Sequence, residues 1–250
     1  MTPLQGTDGE YLRIEIEDLK AHGAVYLYFP TLSWRIWENH PFSVASSIAK
    51  KQLTAVDEVN KSESKILEAH QVPTLTNDRQ ATFITRVRKG TTSALAARVS
   101  QAGCSFRLPV LIEGSYRSHH KIQLAACQSI LCIVGGVGVS AVLPLLTGSE
   151  ASSQARLFWG VRKQALVDGL APEISQLPSN VQADISVGKR LDLGVILRAE
   201  LVGIGERGLL GIVVCGPPGM ADEVRQIVSE IGGSGNSRRA FVLLDEAFSW

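Results

Sequence analysis

The chain has 250 residues, 45 % of them hydrophobic and 20 % charged, which is enough apolar material for two modest domains or one large one, each with a real core. A formal net charge of +1 excludes the global field that draws nucleic acid or a strongly anionic surface, so any anion site must be local. The longest apolar run, Ser129 to Leu146, is broken by glycines and by Pro144, short of the roughly 20 apolar residues of a membrane helix, and no transmembrane span is expected.

From Tyr11 to Val44 the chain reads as short strands. Leu12, Ile14 and Ile16 alternate with Arg13, Glu15 and Glu17, and the run Ala24 to Phe29 is rich in branched and aromatic residues before Pro30 stops it. His40-Pro41-Phe42-Ser43 closes this strand region. Residues 46–80 turn polar and charged and read as a solvated insertion. Strand character returns at Thr82 to Val87 and at Phe106 to Ile112, with Gly90-Thr91-Thr92-Ser93 opening a helix over Ala94 to Ser100. Strands joined by turns suggest a barrel or sandwich that ends near Arg117.

Beyond that point apolar strands alternate with helical segments. Strands are expected at Ile130 to Val134, Ala155 to Val161, Val181 to Val187, Gly211 to Cys215 and Ala240 to Leu244; helices at Ser140 to Leu146, Lys163 to Leu170, Leu193 to Leu201 and Met220 to Ile231. Such alternation implies a parallel sheet covered on both faces. The expected fold is therefore α/β: a partial antiparallel β-barrel over 1–117, short at its start and carrying the polar insertion, followed by a parallel-sheet nucleotide-binding domain over 118–250. The four cysteines, Cys104, Cys127, Cys132 and Cys215, lack the paired spacing of a zinc site and read as reduced thiols, and no secretory signal is recognised ahead of them. No metal site is expected.

Gly136-Val137-Gly138-Val139-Ser140-Ala141 has the G-x-G-x-x-G/A form between an apolar strand and a helix. A residue without a Cβ lets the backbone approach a pyrophosphate, and the N–H groups of the helix start point at the anion. A plain strand-to-helix turn with glycines for close packing is the alternative. The next strand ends in Arg162-Lys163 with no acidic residue to hold ribose hydroxyls, which indicates NADPH with Arg162 on the 2′-phosphate; a solvated basic pair is the plainer alternative. Arg190, after Gly188-Lys189, is a second candidate.

Cys215-Gly216-Pro217-Pro218-Gly219 follows a buried strand, and its prolines stiffen the turn at the sheet edge where open α/β sheets bind ligands. Cys215 would face a bound nicotinamide there; alone, a cysteine at a strand end is more often a core residue. On the first domain, Phe42 can lie over a flat ring, Ser43 can hydrogen-bond its reactive nitrogen, and the Gly90-opened helix can receive phosphates; an ordinary turn with a core Phe and a plain N-cap are the alternatives. Phe248 and the terminal Trp250 would reach the same sheet edge from the last strand, or simply cap the domain.

Taken jointly, these motifs resemble the cytosolic FAD- and NADPH-binding half of ferric-chelate reductases, especially the fungal membrane type, and are similar to those of the NADPH oxidases. The resemblance runs from about Tyr11 to Trp250. It implies that His40, Pro41, Phe42 and Ser43 form the flavin signature and that Gly90 and Ser93 contact the flavin pyrophosphate. It assigns the NADPH turn to Gly135, Gly136, Gly138 and Ser140, a further segment to Arg190, Asp192 and Leu193, and the nicotinamide turn to Cys215, Gly216 and Pro217. Phe248 and Trp250 correspond to the aromatic tail that shields the flavin. The family's Glu-Gly-Pro-Tyr-Gly junction appears as Glu113-Gly114-Ser115-Tyr116-Arg117, and its haem-bearing helices are absent from this sequence. His119-His120 does not resemble a haem pair.

The expected activity is thus hydride transfer from NADPH to FAD and single-electron delivery to an acceptor. In the family that is haem and then ferric chelate or oxygen; here it would be a soluble chelate, a quinone or the haem of a membrane partner. Ser43 would poise the flavin nitrogen, Cys215 would orient nicotinamide, Trp250 would cover the flavin, and nucleic acid is not an expected partner. In the family this half lies on the cytoplasmic face of a membrane; as it stands the chain is expected to be soluble and cytoplasmic. A truncated, non-catalytic nucleotide-binding or interaction module is the alternative.

Overall fold

The computed structural model describes residues 1–32, 34, 37–49, 79–103, 105–116, 123–148, 154–202, 208–235 and 237–246. Its first half is an antiparallel sheet of six strands: β1 (Thr2–Pro3), β2 (Tyr11–Glu17), β3 (Ala24–Tyr28), β4 (Asn39–Ala49), β5 (Arg79–Arg86) and β6 (Leu111–Tyr116), in the order β1-β2-β5-β4-β3-β6. Alternate residues turn inward, as strand periodicity requires. Leu12 and Ile14 of β2, Val25 and Leu27 of β3, Phe42 and Val44 of β4, and Ala81 and Phe83 of β5 meet Leu95 and Val99 of helix α1 (Thr91–Gln101) in one buried cluster. Each of the large members contributes about 2 kcal/mol by leaving water.

Three boundaries differ from expectation, each for a backbone reason. Residues 46–49 and 79–80, expected in the polar insertion, are strand: beyond a bulge at Val44/Ser46, β4 continues against β5 through Ser46↔Thr82 to Ala49↔Arg79. The remainder of the insertion, 50–78, lies outside the described residues, as do Cys104, Arg117 and His119-His120. The strand expected at Phe106 to Ile112 starts instead at Leu111, because Pro109 has no N–H for a ladder; Phe106 exchanges hydrogen bonds with Met1 at 2.9 and 3.0 Å. At the start of the chain β1 is two residues long and pairs antiparallel with β2.

The second half is a parallel sheet of β7 (Ser129–Gly135), β8 (Gln154–Val161), β9 (Val181–Val187), β10 (Leu210–Cys215) and β11 (Phe241–Asp245), ordered β11-β10-β7-β8-β9. The expected α/β architecture, an antiparallel barrel-like sheet followed by a parallel nucleotide-binding-type sheet, is what the chain adopts. Helices α2 (Val139–Thr147), α3 (Gln164–Gly169), α4 (Ala171–Ile174), α5 (Leu193–Val202) and α6 (Pro218–Gly233) cover both faces. This is why β7 and β10 are apolar without alternation: Leu131 and Ile133 face α5 and α6, whereas Cys132 and Val134 face α2 and α3. The strand order reverses between β7 and β10, and ligands of open α/β sheets bind at such a point, beyond the carboxyl ends of the strands.

The two sheets share a core. Leu4, Tyr11, Ala45 and Ile84 of the barrel half belong to the same buried cluster as Val134, Val139 and Val142. Beside it, the Arg13 guanidinium donates to both Glu173 oxygens, at 2.6 and 3.0 Å, and to the Gly169 carbonyl at 2.8 Å. Among the described residues no helix is long and apolar enough to cross a membrane, and no group of three or more His, Cys, Asp or Glu could hold a metal ion.

Candidate functional site

At the switch point two turns press against each other. β7 ends at Gly135 and passes through a single 3-10 turn, Gly136–Gly138, into α2. A Cβ at Gly138 would lie 2.7 Å from the Cys215 carbonyl oxygen, and one at Gly135 would lie 2.7 Å from Cδ of Pro217. These two glycines exist for packing. Gly136 is different: its φ is +56° and a Cβ there would meet nothing within 4 Å, so the backbone is open on the side where an anion can approach. No side chain caps α2, and the Val139 N–H that opens it is taken by the Gly136 and Val137 carbonyls of the 3-10 turn, so any N–H groups offered to an anion lie earlier, in that turn.

Two side chains brace this turn. Trp159 of β8 is fully buried and its indole N–H donates to the Gly136 carbonyl at 2.8 Å, a role that sequence reading did not assign; a lone aromatic in the centre of the second strand was the available signal. Ser140, expected among the nucleotide contacts, is buried and donates to the Val137 carbonyl at 2.8 Å. Its hydroxyl closes the turn instead of facing a ligand.

Cys215 is the last residue of β10 and is fully buried. Its thiol donates to the Glu246 carbonyl at 3.1 Å, while the Glu246 N–H donates to the Val214 carbonyl at 2.8 Å. The chain leaving β11 therefore lies over the residue expected to face nicotinamide. Burial, reinforced by the charges of Glu246 and Asp245, pushes the thiol up to about 12. Gly216 packs against Gly135, and Pro217 caps α6 with Pro218 as its first helical residue. Phe248 and Trp250 lie outside the described residues.

Arg162, just past β8, is exposed and sits 3.7 Å from Glu10; Arg190 is exposed and pairs with Glu223 at 2.7 Å. Asp192, carried along with Arg190 by resemblance, accepts the Val195 N–H at 3.0 Å and starts α5. Leu193 is buried in the core.

On the barrel half, His40-Pro41-Phe42-Ser43 opens β4 and does not close a strand region. The four pair with β3 alone, from His40↔Leu27 to Ser43↔Ala24, because β5 joins β4 only from Val44. Among the described residues the other edge of this stretch has no strand partner, which is what tolerates Pro41 and what a planar polar ligand can use. Phe42 was expected to cover a flat ring, but it is buried between Phe29 and Phe83, at centroid separations of 6.3 and 6.4 Å. Strand alternation places Pro41 and Ser43 on the face opposite Phe42. His40 Nε2 is buried without a hydrogen-bond partner, a polar atom waiting for an acceptor or donor.

Gly90 (φ +94°) precedes α1, has open space where a Cβ would stand, and leaves the helix without a side-chain cap. Ser93 is exposed and donates to the Gly90 carbonyl at 2.8 Å. At the junction strand β6, Gly114 has φ +106° and lies under the Tyr116 ring, and Ser115 hydrogen-bonds the backbone of His22. Glu113 accepts from Tyr28 and Tyr116, and these bonds hold its carboxyl below, and both phenols above, their ordinary values.

No family model matches the sequence, and no curated protein matches it. Solved structures do. Full-length CYP116B46 from Tepidiphilus thermophilus is similar over 96 % of this chain at 13 % identity and a TM-score of 0.60, the match spanning 27 % of that protein. A ferredoxin NADP+ reductase from Neisseria gonorrhoeae, solved with FAD and NADP bound, is similar over 94 % of this chain and 92 % of its own length, at 12 % identity and a TM-score of 0.59. A siderophore interacting protein from Acinetobacter baumannii is similar over 98 % of this chain and 88 % of its own, at 13 % identity and a TM-score of 0.54. The chain has the ferredoxin-reductase-like fold: an antiparallel barrel-like sheet joined to a parallel nucleotide-binding-type sheet.

Proposed function

We propose that this chain is a flavin-dependent oxidoreductase module in which hydride passes from NADPH to FAD and electrons leave singly for an acceptor such as a ferric chelate. The reading rests on one observation above all: the glycine turn that carries the open Gly136 backbone packs, through Gly135 and Gly138, on the Cys215-Gly216-Pro217 turn at the switch point of the parallel sheet. The fold it shares with a reductase solved with FAD and NADP agrees with it.

The residues fit both cofactors. NADPH pyrophosphate would lie on Gly136 and the 3-10 turn that leads into α2, with its 2′-phosphate toward Arg162 and Arg190 beyond it. FAD would lie along the edge of His40 to Ser43, with the Ser43 hydroxyl and, from the opposite face of the strand, the orphaned His40 Nε2 reaching different parts of the cofactor, and Gly90 with Ser93 at the uncapped start of α1 for its phosphates. Bound FAD supplies the conversion of a two-electron donor into single-electron transfer. The protein holds the rings in register, keeps water out and moves no proton of its own. For nicotinamide to reach the position beside Cys215, the Glu246 main chain has to yield, and Phe248 and Trp250 follow it in sequence.

The motif set supports reading the chain as similar to the fungal-type ferric-chelate reductases and NADPH oxidases, with 1–117 as the flavin half and 118–250 as the NADPH half. The siderophore interacting protein among the structural neighbours supports an iron-chelate acceptor. Reconstitution tests this: purified protein incubated with FAD and desalted should retain flavin absorbance, and Ser43→Ala should lower the retained fraction. A colourless protein would favour the second reading, a non-catalytic module, to which the burial of Phe42 and Cys215 lends support.

A further inference from the structure

The loop before β2 is built with unusual care. Thr7 is buried and donates its hydroxyl to the Leu4 carbonyl at 2.7 Å, the Glu10 N–H donates to the Thr7 carbonyl at 2.9 Å, and the Glu10 carbonyl accepts the Val87 N–H at 2.8 Å. Gly6 (φ +71°), Asp8 (φ 51°) and Gly9 (φ +74°) give it left-handed turns, and a Cβ at Gly6 would lie 3.2 Å from Cβ of Ala165 on α3. The loop is thus anchored to both halves of the molecule, and it presents two carboxylates.

Those carboxylates face three cations. Glu10 is 3.7 Å from Arg162, 3.7 Å from Arg86 and 3.3 Å from Lys163, and Asp8 is 3.2 Å from Lys163. Arg86 ends β5, while Arg162 and Lys163 follow β8, so the cluster joins the two sheets at the place where the nucleotide reading puts a 2′-phosphate. Hydrogen bonds to the Asp8 carboxylate first and the Glu10 carboxylate second hold the Lys163 ammonium above its ordinary value.

We propose that Arg86, Arg162 and Lys163 form one phosphate site and that Glu10 is its tethered competitor, a carboxylate that a 2′-phosphorylated nucleotide must displace. This rests on the NADPH reading and deepens it: selectivity is set by a carboxylate from the barrel half as well as by cations. The phosphate dianion offers three oxygens to cations that otherwise share two carboxylates, so exchange is favourable, but the fixed loop keeps Glu10 close and charges repel across the gap. Glu10 therefore lowers the affinity for phosphorylated nucleotide and makes it dependent on ionic strength.

The test uses the full chain and two probes, 2′,5′-ADP and 5′-AMP, titrated calorimetrically at low and high salt. Glu10→Gln is expected to raise the ratio of 2′,5′-ADP to 5′-AMP affinity about threefold to fivefold at low salt, with the gain shrinking as salt is added. Asp8→Asn, whose side chain reaches only Lys163, is expected to act in the same direction and more weakly. If the unaltered protein prefers 2′,5′-ADP and Glu10→Gln leaves or lowers that ratio, Glu10 is no competitor and the inference falls while the NADPH reading stands. If neither the unaltered protein nor either variant distinguishes the two probes, the NADPH reading itself falls, and this inference with it.

Discussion

Arg13 of the barrel half clasps Glu173 of α4 with two parallel N–H···O bonds, and Glu173 is only 4 % exposed. A buried carboxylate left without its guanidinium is expensive, so Arg13→Ala should cost about 3 kcal/mol. Glu173→Gln, which keeps the shape and one acceptor, should cost less. Equilibrium denaturation checks both: the midpoint falls, and separate transitions for the two halves appear if this pair helps couple them.

Gly136 and Gly138 sit two residues apart and should respond oppositely. Gly138→Ala drives a Cβ into the Cys215 backbone 2.7 Å away, and neither turn can retreat, so stability should fall by about 2 kcal/mol. Gly136→Ala meets no neighbour and should cost only about 1 kcal/mol for its positive φ, yet it fills the space a pyrophosphate needs. Thermal melts and nucleotide titrations on the two variants would separate packing from binding.

His40 Nε2 is buried without a partner, so replacing the ring should not destabilise the protein without flavin. His40→Phe is expected to melt at or above the temperature of the unaltered chain and to hold FAD at least tenfold more weakly. A lower melting temperature with unchanged flavin affinity would make His40 a structural residue.

Cys215 gives the pH dependence. Its folded-state value is raised, by burial first, from 9.0 to about 12, and burial raises that of Cys132 as well. Both thiols remain protonated when folded and ionise on unfolding, so stability is complete below about pH 9 and declines between pH 9 and 12. Cys215→Ala should flatten that decline, and in the native protein this thiol should resist alkylation at pH 8. Reaction at the rate of an exposed cysteine would show that the Glu246 segment does not cover it.

The parallel half was legible because its strands alternate with helical periods, and Val181–Val187, although it carries Gln182, Asp184 and Ser186, falls where that alternation placed it. The barrel half was harder. Whether Phe42 faced a ligand or the core depended on which face of β4 packs on α1 and the neighbouring strands, which is a tertiary fact. The polar stretch that begins at Ser46-Ser47 concealed a strand that continues β4 against β5. At the candidate site the motifs fall on the two turns that pack together at the switch point, but they did not show the division of labour among Gly135, Gly136 and Gly138, nor Trp159, whose hydrogen bond joins residues 23 apart. Glu10 carried no signal at all: it matters only because a loop brings it beside cations of another sheet.

The reduction of bound flavin tests the central claim most directly. Protein loaded with FAD, mixed without oxygen with NADPH and followed at the flavin absorbance, should bleach within seconds, and more slowly with NADH. Retained flavin that stays oxidised under excess NADPH would contradict the account, because both cofactors would then be held without a path between them.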